Sequence, residues 1–302
     1  MTYPANSRSL REARLVRFAP SPARRRKDKI ARGMILAATI LALVPLVLIL
    51  YYLLSKGLRS WSWSFFSTDP TGQSFFKNVS IGGIKSAILG TVEIVALASA
   101  IAIPLGVSVA MWLVEYGRDS WFAHTVRFFV DVLTGVPSIV FGLFVYIVLI
   151  VGTGSTYAGY KGSLALSLLM LPVVIRSAEV ILTLVPGALR ESALALGAPR
   201  WRVIFQVVLP TALPGMVTGI LLAVARAAGE TAPLLFTAAA THETTFDLGK
   251  FMNSLPVQIY TDVTSPTAAV VNRAWGAALT LVAMILILNL IARLVARRSR
   301  LV

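Results

Sequence analysis

Cysteine does not occur among the 302 residues, which excludes disulfide frameworks, cysteine zinc sites, thiol catalysis and iron–sulfur ligation. Histidine is almost as scarce, and His124 and His242 leave little from which to build a metal centre, so none is expected. Charge is the third shortage. Only 14% of residues are charged, where soluble domains carry roughly a quarter, and 57% are hydrophobic, a balance that belongs in a membrane. Acidic residues are the rarer sign, 13 Asp+Glu against 28 Lys+Arg, for a formal net charge of +15. Spread over one folded face, that excess would suit a nucleic-acid partner. Its distribution along the chain decides the matter.

The apolar residues gather into runs, and a helix needs about 20 of them to cross a hydrocarbon core of about 30 Å. Residues 1–32 come first, with ten Lys/Arg, Pro4, Pro20 and Pro22 and no apolar period, and read as a disordered basic tail. Residues 33–54 form the first span; Tyr51, Tyr52, Trp61 and Trp63 make an interfacial belt, and the run is too long for the core of a signal peptide. Further runs at about 81–113, 126–151, 162–184, 208–225 extending through 231–240, and 272–294 bring the spans to six, followed by a second basic tail, 296–302. The expected fold class is therefore all-α integral membrane, with six transmembrane helices. A soluble helical protein is excluded because such runs leave no polar face. Proline and glycine inside the runs are tolerated where neighbouring helices satisfy the freed backbone groups.

With six spans both termini lie on one side, and the basic residues say which. Counting the tails, Arg118, Arg127, Arg190, Arg200, Arg202 and the arginines after 292, roughly twenty basic residues lie inside and about five outside, the positive-inside bias. Both termini are thus expected in the cytoplasm. The +15 charge is mainly an orientation signal, and nucleic acid is not expected as a partner.

Between the fourth and fifth spans, residues 186–205 read as two short helices broken at Gly197 to Pro199; Gly197 suits a left-handed helix end and Pro199 the first turn of the next helix. An exposed helix–turn–helix of this kind either docks in a groove of a partner protein or lies on lipid as an interfacial elbow. The spacing Glu-x-Ala-x3-Gly-x9-Val-x-Leu-Pro, met at Glu191, Ala193, Gly197, Val207, Leu209 and Pro210, resembles the coupling loop of type I ABC importer permeases. Ser192 stands where that family usually has the first of two alanines. The resemblance implies a MetI-like fold over about 75–295, with the loop inserted in a cleft of a separate ATPase. The chain has no phosphate-cradling loop of its own. In the nearest candidate, Gly154 to Ser163, Tyr160 intervenes between Gly159 and Lys161, and the segment lies outside.

Ionisable residues inside spans are costly, and by default they mark a solute path. Arg176 and Glu179 lie three apart in the fourth span, Arg226 and Glu230 four apart in the fifth, each spacing placing a potential ion pair on one helix face. Such pairs either neutralise one another and hold helices together, or present a guanidinium fork to an oxyanion while the carboxylate steadies it. Asp131, four residues after Arg127, is expected to pair with it at the interface, and Glu93 has no local partner.

The segment Arg226-Ala-Ala-Gly-Glu-Thr-Ala-Pro-Leu-Leu-Phe-Thr237 resembles the fifth-span signature of PstA-type phosphate permeases. Arg176-Ser-Ala-Glu179 and Thr134-Gly-Val-Pro-Ser-Ile-Val-Phe-Gly142 resemble two more of that family's motifs. The resemblance implies a permease half of an ATP-driven inorganic phosphate importer in a bacterial cytoplasmic membrane, working by alternating access. Its implied partners are a homologous PstC-type permease, two PstB-type ATPase subunits that use ATP and Mg2+, and an extracytoplasmic phosphate-binding protein. Loop 241–271, with Asn253, Gln258 and Asp262, is long for a connector and is expected to face that protein, although it carries no motif. No cofactor is expected on this chain. The alternatives are the same fold carrying molybdate or sulfate, a scaffold that only docks the ATPase, and an intramembrane enzyme; the last lacks a carboxylate cluster and an intramembrane histidine or cysteine.

Overall fold

The computed structural model describes residues 22–70, 82–117 and 119–298, all helices and connections apart from a single β-bridge between Pro70 and Gly82. Two compact units divide the chain, residues 1–52 and 53–302. Helix α1 (Pro22–Ser60) is apolar through the expected first span, and its side chains from Met34 to Leu50 are exposed, as lipid requires. It starts inside the stretch expected to be disordered. Ala, Arg and Lys are good helix formers and Pro22 occupies the first position, so the helix extends past the apolar run. The remainder of both expected tails, 1–21 and 299–302, lies outside the described residues.

The second unit opens with the short α2 (Trp63–Ser67), capped by Ser62 Oγ accepting from the Phe65 amide. Helix α3 (Lys85–Met111) widens into a π-helical turn, Trp112–Gly117. Helices α4 (Trp121–Gly135) and α5 (Ser138–Tyr146, continued by a π turn to Val151) follow, and then α6 (Gly159–Thr183). Two short helices, α7 (Gly187–Ala195) and α8 (Arg200–Val203), lead through a third π turn into α9 (Leu209–Ala228). The chain ends with α10 (Ala232–Thr237), α11 (Leu255–Val263) and α12 (Ala268–Arg298).

Among the described residues five helices are long and apolar enough to cross a membrane, and the candidate spans number six if the bent α4–α5 pair is one. That pair departs from the straight third span expected at 126–151, for its halves meet at 101°. Pro137 is the cause: it has no amide to donate, its φ is fixed at −57°, and it holds Val136 in extended backbone. The fifth span also breaks, at Gly229 to Thr231 between α9 and α10.

Helix α6 is the hub. Ile94 and Ala98 of α3, Leu166 and Met170 of α6, Val224 of α9 and Leu234 of α10 close one core cluster, and Leu182, Val185, Val203, Val208 and Met216 close another nearer the α7–α8 loop. Helix α9 approaches α6 through Gly215-x3-Gly219: a Cβ at Gly219 would lie 2.4 Å from that of Ser177, and one at Gly215 2.7 Å from an Ile181 methyl. Small residues at this spacing let helices pack in lipid, where the hydrophobic effect gives no help.

At the opposite end a chain of polar groups ties α11 to its neighbours. Asn253 Nδ2 donates to Gln258 Oε1 at 2.6 Å, Gln258 Nε2 to Asp262 Oδ1 at 2.7 Å, and Arg273 grips Asp262 with Nε and Nη2 at 2.7 and 2.8 Å. Thr91 Oγ1 of α3 accepts from the Leu255 amide. Asn253, Gln258 and Asp262 are 1–3% exposed, so they hold this end together and do not face a partner as the sequence suggested.

Candidate functional site

The charges of α4 and α6 interlock. Spacings of four (Arg127, Asp131) and three (Arg176, Glu179) set two ionisable groups on the facing side of each helix. Glu179 accepts from both sides, from Arg127 Nε at 2.6 Å and from Arg176 Nη1 at 2.8 Å. Arg176 then turns its other edge to Asp131, with Nε 2.8 Å from Oδ1 and Nη2 against both carboxylate oxygens. Arg127 Nη2 reaches Leu113 O in the π turn of α3 at 3.1 Å. The result is two guanidiniums alternating with two carboxylates, formally neutral, graded from the buried Glu179 to Asp131, whose side chain is 56% exposed.

The expected Arg176–Glu179 pair is present, but it is half of a larger structure. Arg127 and Asp131 join it across the helix gap, where the sequence reading paired them with each other. Their four-residue spacing carried the signal; which helix they would face did not.

The second expected pair is looser. Arg226 Nε lies 3.5 Å from Glu230 Oε1, at the limit of a hydrogen bond, and the Arg226 side chain is 49% exposed. Helix α9 ends two residues after Arg226, and Glu230 stands in the break, its amide donating to Ala227 O at 3.2 Å. Pro233 and the restart of α10 keep the break open. The two arginines thus differ: Arg176 is clamped on several sides, and Arg226 is held by a single long contact among the described residues. Glu93, in α3, has a carboxylate oxygen that is buried with no hydrogen-bond partner among the described residues.

The α7–α8 loop has two faces. Ala193, Ala198 and Val207 pack inward on Val185, Val203 and Val208, as does Leu209. Outward stand Glu191 and the large apolar residues Leu189, Leu194, Leu196 and Trp201, with Leu196 89% exposed. Gly197 sits at the break with φ +82°, the left-handed backbone that glycine adopts without penalty, and Pro210 occupies the first turn of α9. Among the described residues nothing covers this apolar ridge, and an exposed patch of this kind suits a contact with a partner protein or with lipid. Lys161, in the stretch compared with a phosphate-binding loop, is 2% exposed and donates to Ser155 Oγ at 2.6 Å and to Thr156 O.

Residues 102–301 match the family described as binding-protein-dependent transport system inner membrane component. The chain is 40% identical over 279 residues to the phosphate transport system permease protein PstA of Yersinia pestis, covering 92% of each. Among solved structures, it is similar to an inward-facing MetNI methionine ABC transporter, with a TM-score of 0.60 and 19% identity over 70% of this chain and 94% of that one. It is also similar to a bacterial alginate ABC transporter in complex with an alginate pentasaccharide-bound periplasmic protein, with a TM-score of 0.62 and 15% identity over 90% and 96% of the two chains. These two likenesses establish the fold, that of a type I ABC importer permease.

Proposed function

The chain belongs to the family of binding-protein-dependent transport inner-membrane components, and on that premise we propose that it forms half of the translocation path of an ATP-driven inorganic phosphate importer. It is a multi-pass membrane protein and a transport permease. ATP and Mg2+ are used by a separate ATPase subunit docked on the α7–α8 ridge; a homologous permease of the PstC type completes the path, two ATPase subunits of the PstB type drive it, and an extracytoplasmic binding protein delivers the anion.

The observation that carries this reading is Arg226, a half-exposed guanidinium beside a helix break and tied by one 3.5 Å contact. Its planar fork offers parallel N–H donors at the spacing of a phosphate's oxygens, and Glu230 steadies that fork when no anion is present. Arg176 is the second oxyanion contact, and its carboxylate partners must yield as the anion arrives. ATP-driven closure of the partners draws the α7–α8 ridges together, rocks α6 and α9 and exposes the path to one side and then the other.

Uptake of labelled phosphate by membranes holding all partners tests this directly. Arg226→Gln and Arg176→Gln should each lower ATP-coupled uptake by at least about tenfold, the scale of a lost charge-assisted bond of 1.5–3 kcal/mol. Unchanged uptake with either variant would overturn its role. Competition by sulfate or molybdate as strong as that of unlabelled phosphate would reassign the solute.

A further inference from the structure

Arg190 lies on the inward side of α7, and every donor group of its guanidinium is in use. Nε and Nη2 donate to Glu115 Oε1 at 3.0 and 2.8 Å; Nη1 donates to Val185 O at 2.6 Å and Nη2 to Leu182 O at 2.9 Å. Leu182 and Val185 lie at and just beyond the end of α6, where the last carbonyls lack a full complement of helical donors; Leu182 O takes the Val185 amide, at 3.3 Å, besides Arg190. Glu115 stands in the π turn that ends α3. One side chain therefore joins three elements: the coupling helix, the end of α6 and the end of α3. The pair is 15% and 9% exposed, so water and salt screen it little.

The rest of the inward face is Ala193, Ala198, Leu209 and valines, whose dispersion contacts have no preferred direction. The Arg190 bonds are directional, and they end next to the charged cluster. Glu115 is two residues from Leu113, whose carbonyl receives Arg127, and Leu182 is three residues, or about one turn, beyond Glu179. A displacement of α7 thus has two routes to Arg176, one through Glu115, two residues of backbone to Leu113, then Arg127 and Glu179, and one up the last turn of α6.

Building on the transport reading above, we propose that Arg190 is a positioning residue, the strut through which the coupling helix moves α3 and α6 as one body and so resets the Arg127–Glu179–Arg176–Asp131 cluster. It touches neither the anion nor ATP. Without it the ATPase would still close on the outward ridge, but the closure would not reach the path.

The test uses the complete complex in proteoliposomes with its binding protein, measuring phosphate uptake and ATP hydrolysis on the same sample. Arg190→Gln should cut uptake by about tenfold while hydrolysis stays within about twofold, so that several times more ATP is spent per phosphate. Glu115→Gln, which keeps the shape and a neutral acceptor, should raise the same ratio less, by about threefold. Proportional loss of uptake and hydrolysis in both variants, or no change in either, would overturn the strut. If Arg190→Gln fails to copurify with the ATPase, Glu115→Gln decides by its ratio, and loss of ATPase association there too would assign the pair to docking and refute the proposal. Absence of ATP-driven uptake in the unaltered complex would strike the transport reading itself.

Discussion

Arg176 and Arg226 are equivalent on paper, each within one helical turn of a glutamate, and they differ in what surrounds them. Arg176 shares Glu179 with Arg127 and binds Asp131; Arg226 has one long contact among the described residues. The two should therefore fail differently. Arg226→Gln removes a group that little else depends on, so the protein should accumulate in membranes at normal levels and lose only uptake, checked by quantitative blotting beside the transport assay. Glu179→Gln strips a buried carboxylate from between two guanidiniums. Breaking such a site costs about 3–5 kcal/mol when fully buried, less here because Arg127 and Arg176 are partly exposed. Lower abundance and an earlier melting transition in detergent should accompany its transport defect. Arg176→Lys keeps the charge but loses the fork that meets Asp131 and Glu179 together, and its uptake should stay well below normal. The sequence disclosed these arginines because charge inside an apolar run is conspicuous. It did not disclose that Asp131 binds Arg176, since that pairing depends on which faces of α4 and α6 meet.

Among the elements, the α7–α8 loop was the most legible, because Gly197 and Pro199 are local punctuation whose meaning needs no tertiary context; the helices break at that place. The third span was less so. Pro137 was visible, yet hydropathy counts apolar residues and carries no angle, so the 101° bend came only with the structure. The inward start of α1 was missed for a related reason: a polar helix beyond the bilayer has no apolar period to detect. Two substitutions test elements. Gly197→Val forces a β-branched residue into left-handed backbone at a cost of about 1–2 kcal/mol while meeting no neighbour, so the chain should still insert but retain less ATPase on copurification. Gly219→Leu places a side chain where Ser177 already sits; α9 should be driven off α6 and little folded protein recovered.

At the scale of the molecule, an all-helical chain with five or six candidate spans was readable from the sequence, whereas the burial of Asn253, Gln258 and Asp262 was not. Asn253, Gln258 and Asp262 looked like a polar face awaiting a partner because a polar residue in a loop carries no mark of burial. Their mutual hydrogen bonds and Arg273 absorb them. Electrolyte should therefore act on the two ends unequally. The Asp262–Arg273 bridge is 4% and 6% exposed, out of reach of counter-ions, while Arg176 and Asp131 are 36% and 56% exposed and open to them. A protein built this way has one end whose cohesion is indifferent to ionic strength and another whose charge lattice softens wherever water and salt reach the exposed edges of Arg176 and Asp131.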